Sequence, residues 1–89
     1  MKTDAPHPAV ALVTLYTKPG CHLCDVVKAT IQKVAVVRPL RLVERNILDE
    51  PADLQRFQHA IPVVFVGERE VARYRVTERQ LLAAIDGFV

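Results

Sequence analysis

The chain has 89 residues, of which 51% are apolar and 25% charged, with a formal net charge of +2. This is the composition of one globular domain, and it excludes a chain disordered over most of its length. The basic excess is too small for a nucleic-acid partner, and no apolar run reaches the ~18 residues of a membrane span.

Residues 1–9 are polar and hold Pro6 and Pro8, so a flexible tail is expected there, with the folded domain over residues 10–89. No apolar signal-peptide core stands in that tail, and a cytoplasmic location is expected. From Val10 to Tyr16 the sequence reads VALVTLY, a short β-branched run that predicts a strand buried on both faces. Thr17-Lys18-Pro19-Gly20 is turn chemistry.

A helix is expected next. Leu23, Val26, Val27, Thr30, Ile31 and Val34 recur at helical spacing and form one apolar stripe. Arg38-Pro39 ends it, because the residue before proline is pushed out of the helical region. Residues 40–47 partly alternate and predict a second strand. Asp49-Glu50-Pro51 predicts a helix start with an acidic cap, and Leu54 and Phe57 its buried face. A third strand is expected over residues 62–66, a turn at Gly67-Glu68, and a fourth strand over residues 70–74. Thr77 and Gln80 form a capping-box pattern, followed by an apolar face of Leu81, Leu82, Ile85 and Phe88 and a stop at Gly87. The order β-α-β-α-β-β-α predicts an α/β domain with a mixed four-stranded sheet and helices on both faces.

Cys21 and Cys24 are the only cysteines. They stand where the first strand hands over to the first helix. Unpaired N–H groups at a helix start, together with the helix dipole, stabilise a thiolate. Cys21 is therefore the expected nucleophile toward a disulfide, and Cys24, one turn on and more covered, the resolving thiol. Zinc is disfavoured, since it needs four ligands and His7, His22 and His59 do not complete a zinc-binding spacing. Asp25 follows the second cysteine where a c-type haem needs histidine. Lys18 lies three residues before Cys21, where its ammonium reaches either the thiolate or an incoming carboxylate; the competing reading is a solvated turn lysine. His22 favours the thiolate if protonated and is otherwise an exposed spacer. Pro62 opens a strand, and on local chemistry alone its peptide bond is expected to be trans.

The run Tyr16-Thr17-Lys18-Pro19-Gly20-Cys21-x-x-Cys24, with Ile61-Pro62-Val63-Val64-Phe65-Val66 some forty residues later, resembles the glutaredoxin branch of the thioredoxin superfamily. The short bacterial glutaredoxin-like domains with a dithiol CxxC are the nearest match in pattern. The resemblance implies the thioredoxin fold and a cis Pro62 packed beside the cysteines. It implies that the backbone of Ile61 pairs with an extended substrate, and that Lys18 touches the glycyl carboxylate of glutathione. One departure stands out. The Gly-Gly pair of typical glutaredoxins aligns with Ala72-Arg73, and their acidic pair with Thr77-Glu78. Glycine permits close backbone approach and arginine does not, so the subsite for the γ-glutamyl group is expected to be altered.

The functional expectation is a monomeric thiol–disulfide oxidoreductase that reduces protein or small-molecule disulfides. It would hold no bound cofactor and be recharged by glutathione or a thioredoxin reductase system. Lys18, His22, Ile61 and Pro62 are the expected substrate-binding residues. Two other readings use the same residues: a redox-inactive binding module for a dedicated partner, and a metal or cluster carrier completed by a second chain.

Overall fold

In the computed structural model, which describes residues 10–87, the chain runs β1 (Ala11–Thr17), α1 (His22–Val37), β2 (Leu40–Asn46), a 3-10 turn (Ile47–Asp49), α2 (Pro51–Phe57), β3 (Val63–Val66), β4 (Arg69–Arg73) and α3 (Glu78–Asp86). The expected tail over residues 1–9, and Phe88 of the expected last helix, lie outside the described residues. The sheet order is β2-β1-β3-β4, with β1 parallel to β2 and the other two pairings antiparallel. This is the mixed four-stranded α/β arrangement with flanking helices that the element order predicts.

The two faces of the sheet are covered unequally. Ala11, Val13 and Leu15 of β1 point into a core closed by α1 and α3, with Val27, Ile31, Val34, Leu81 and Ile85 against them. Alternate residues point the other way, where a second cluster of Ile47, Phe57, Ala60 and Val63 packs with Tyr16 and Phe65. Helix α2 is only 7 residues long and covers that face at one end. Leu12, toward the other end, is 40% exposed. The expectation of a first strand buried on both faces is therefore corrected: β1 is buried on both faces only near its C-terminal end.

Local signals account for most helix ends. Arg38 caps α1 in an extended conformation ahead of Pro39, and its N–H donates to the Val34 carbonyl. The Arg38 guanidinium also donates to Asp86 at 3.0 Å, joining the ends of α1 and α3. Glu50 caps α2, with Pro51 in its first turn. The buried partner of Phe57 in α2 is Asp53, not Leu54, which stands exposed. Position 57 shares a helix face with both 53 and 54, so spacing alone does not choose between them. The Asp53 carboxylate is tolerated at 7% exposure because it accepts from Arg45 at 3.2 Å.

At the start of α3, Gln80 N–H donates to Thr77 Oγ1 at 3.0 Å and Thr77 N–H donates to Gln80 Oε1 at 2.9 Å. The box satisfies two donors that the helix start leaves orphaned. Thr77→Ala is expected to cost about 1 kcal/mol, which thermal denaturation will read as a Tm lowered by several degrees. On β4, the Arg73 guanidinium donates to Glu70 at 2.6 Å, and this bond holds the Glu70 carboxyl below its ordinary range.

Candidate active site

Three segments meet at one end of the sheet. Tyr16 of β1 pairs with Val63 of β3, and Val63 pairs with Arg73 of β4. The turn after β1, the residues before β3 and the residues after β4 therefore emerge side by side. Helix α1 starts from the first of these.

The turn after β1 depends on Gly20, whose φ of +79° places it where side chains are disfavoured. A Cβ there would meet nothing within 4 Å, so the backbone angle, not lack of room, is what calls for glycine. The turn delivers Cys21 to the N-cap of α1, with φ −89° and ψ 104°. Its Sγ accepts the backbone N–H of Cys24 at 3.1 Å. A sulfur at an N-cap thus takes the place usually held by a serine or aspartate oxygen. Cys24 lies one turn in and is 4% exposed, whereas Cys21 is half-buried. Their sulfurs are bonded, with Cα atoms 5.2 Å apart, so this is the oxidised form of the pair.

The other expected site residues lie on the segments that meet at this end of the sheet. Lys18 is exposed in the turn, and His22 is exposed as the first residue of α1. Pro62 is fully buried, and the Ile61–Pro62 peptide is cis, as the resemblance implied and local chemistry did not. Ile61 is half-buried, and no other backbone group among the described residues engages its N–H or carbonyl. Tyr16, at the end of β1, is a packed aromatic, with ring centroids 4.6 Å from Phe57 and 5.6 Å from Phe65.

Two features escaped sequence reasoning. The first is Tyr74. It follows β4 and has φ +69°, a backbone angle rare outside glycine. Arg75 N–H donates to the Arg73 carbonyl at 2.7 Å, closing a three-residue turn centred on Tyr74. Tyr74 N–H donates to the Pro62 carbonyl at 2.7 Å, and its hydroxyl to the His59 carbonyl at 2.6 Å. The residue that takes the glycine-like conformation after β4 is therefore Tyr74, not Ala72 or Arg73. The second feature is Val26. It belongs to the expected stripe of α1, yet it is 49% exposed. Val26 lies instead along a groove with Leu23 and residues 74–77. Tyrosine carries no sequence signal of positive φ, whereas an apolar residue beside a CxxC pair was a readable hint of an open apolar surface.

A family model described as "Glutaredoxin-like domain (DUF836)" matches residues 12–86. The solution structure of protein Ne2328 from Nitrosomonas europaea is similar, with a TM-score of 0.77 at 20% identity over 90% of this chain and 96% of that one. A variant of the thioredoxin-like protein BC3987 gives a TM-score of 0.62 at 18% identity, covering 83% of this chain and 94% of that one. Thioredoxin 1 from the thermophilic eubacterium Thermosipho africanus gives 0.51 at 16% identity, over 84% and 90% respectively. No curated protein matches the chain in sequence. At these identities the structural likenesses carry the fold, and the family match carries the family membership. A sheet built around a cysteine pair at a helix start, with a family model running from Leu12 to Asp86, places this chain, with its thioredoxin-like fold, in the glutaredoxin-like domain family (DUF836).

Proposed function

We propose that the domain is a thiol–disulfide oxidoreductase that reduces disulfides of proteins or small molecules. One observation carries the reading: Cys21 Sγ sits at the helix cap, accepting the Cys24 N–H, while Cys24 lies buried behind it. In the reduced form the same N–H and the helix dipole stabilise a Cys21 thiolate. That thiolate attacks one sulfur of the substrate disulfide. A new Cys21–substrate disulfide forms, and the other substrate sulfur leaves as a thiolate that takes up a proton. Cys24 then gives up its proton and attacks Cys21 Sγ, expelling the second substrate thiolate. That thiolate is protonated in turn. Two electrons have passed from the cysteine pair to the substrate, with one proton from Cys24 and one from solvent, and the Cys21–Cys24 bond remains.

Cys24 is buried and Cys21 is not, so Cys21 is the sulfur that a substrate disulfide reaches first. Ile61 offers a backbone N–H and carbonyl to an extended substrate chain, and buried Pro62 forms the floor beside it. Lys18 and His22 present positive or polarisable groups to the incoming partner. The cycle closes when glutathione or a thioredoxin reductase system returns two electrons, with no bound cofactor, in a reducing compartment such as the cytoplasm.

The thiolate claim is tested by alkylating the reduced protein across pH. The midpoint of Cys21 reactivity is expected well below the ~8.5 of an ordinary thiol. A midpoint at the ordinary value would leave a binding module rather than an enzyme.

A further inference from the structure

One carboxylate stands on the segments that meet at the cysteines. Those segments are residues 17–25, 58–63 and 73–77, and of their side chains only Asp25 is an acid. Apart from the cysteines, their other ionisable groups are Lys18, His22, His59, Arg73, Tyr74 and Arg75. None of these supplies a negative charge near neutral pH. Arg73 is already bonded to Glu70.

The helix itself fixes Asp25 relative to the reacting sulfur. Its N–H donates to the Cys21 carbonyl at 3.4 Å, the first rung of α1, so residue 25 stands one turn above residue 21. Side chains on a helix lean toward its N-terminus, and positions four apart lie about 5–6 Å from each other at Cβ. Asp25 is exposed. Lys28, further along α1, is engaged elsewhere, since its ammonium is bonded to Glu44 of β2 at 2.9 Å. That bond holds Lys28 above its ordinary range, and the charge of Asp25 adds to the effect. The field of Asp25 is thus felt along this side of the helix.

An acid at this position has two effects of opposite sign. In the first turn it steadies the helix start. The same charge opposes a thiolate forming at Cys21. The disulfide carries no charge at its sulfurs and is indifferent to Asp25. A less stable thiolate makes the dithiol the poorer state, so the pair gives up its electrons more readily. We propose that the Asp25 carboxylate biases the Cys21–Cys24 pair toward its disulfide form and so makes the domain a stronger reductant. This deepens the oxidoreductase reading above by giving it a direction. Asp25 is a positioning residue, acting through the charge on Cys21 rather than on substrate.

The test uses the full chain and the variants Asp25→Asn and Asp25→Glu. Iodoacetamide, a neutral electrophile, labels the reduced protein across pH, and a glutathione buffer at about pH 8 sets the ratio of dithiol to disulfide. Asp25→Asn is expected to lower the midpoint of Cys21 labelling by about half a pH unit. It is expected to raise the dithiol-to-disulfide ratio by about threefold, the same change read as an equilibrium. Asp25→Glu keeps the charge and is expected to stay near wild type. In about 1 M salt the gap between wild type and Asp25→Asn is expected to shrink, because like charges are screened from each other. An unchanged midpoint and ratio in Asp25→Asn overturn the proposal. A midpoint that rises also overturns it, since that is the result if Asp25 acts only by steadying α1. A shift shared equally by Asp25→Glu does the same. Neither readout needs a substrate, so the two ideas fail separately: turnover no better than that of Cys21→Ser, with the Asp25 shift intact, removes the enzyme and leaves this bias.

Discussion

Cys21→Ser is expected to lower disulfide reduction by about a thousandfold or more, to the rate without protein. Serine keeps the shape of the cap and can still accept the Cys24 N–H that now points at Sγ. The fold is therefore preserved while the nucleophile is lost, because a serine hydroxyl is not ionised near neutral pH. Cys24 does not substitute, since its sulfur is buried one turn into α1. Insulin-type disulfide turnover measures the loss, and circular dichroism checks that α1 remains. Cys24→Ser is the informative companion. It retains the attack by Cys21 but removes the second step, so intact-mass spectrometry is expected to show protein carrying half of the substrate as a mixed disulfide. Wild-type turnover equal to that of Cys21→Ser would end the proposed function.

Phe57→Ala is expected to destabilise the domain by about 3–5 kcal/mol. Phe57 is fully buried, and its ring packs 4.6 Å from Tyr16 and 6.1 Å from Phe65, centroid to centroid. The guanidinium of Arg56 lies 4.5 Å from its centroid on the outer side. Domains of this kind have only about 5–15 kcal/mol in total, so the loss takes a large share of the margin. Helix α2 is too short to form by itself and is held chiefly by this side chain. Phe57 also accepts the Ala60 N–H at 2.9 Å through its carbonyl, just before Ile61 and Pro62. Urea denaturation is expected to show a lower midpoint with an unchanged slope. A loss below about 1 kcal/mol would mean that the aromatic cluster does not hold α2 to the sheet.

The legible parts of the fold are those set by short-range chemistry. Proline at 39 and 51 and the Thr77–Gln80 box mark helix ends by groups within a turn of each other, and the structure places those ends as expected. The cysteine pair at a strand–helix junction was equally local. Side-chain burial was less so. Leu54 and Asp53 are neighbours in sequence, and hydropathy favours burying the leucine. The choice was made by Arg45, eight residues away on another element, which pairs with Asp53. Leu12 was misjudged because the reach of α2 over the sheet is a property of the assembled fold. The site was legible in its sulfurs and illegible in its wall. Tyr74 takes its conformation from bonds to His59 and Pro62, and from a sheet register that slips between Val64 and Phe65. None of those constraints leaves a mark in the residues flanking position 74.

The acidity argued for Cys21 is not a property of the tetrapeptide around it. It comes from the coiled backbone that begins at that sulfur, and α1 is held by a core to which β1, β3 and α3 all contribute. A chain that loses this core returns its thiol to ordinary chemistry at the same moment. The rate at which a mild electrophile labels Cys21 is thus a gauge of native structure. Damaged or half-made copies, still bearing both sulfurs, would react with the pH dependence of ordinary cysteines.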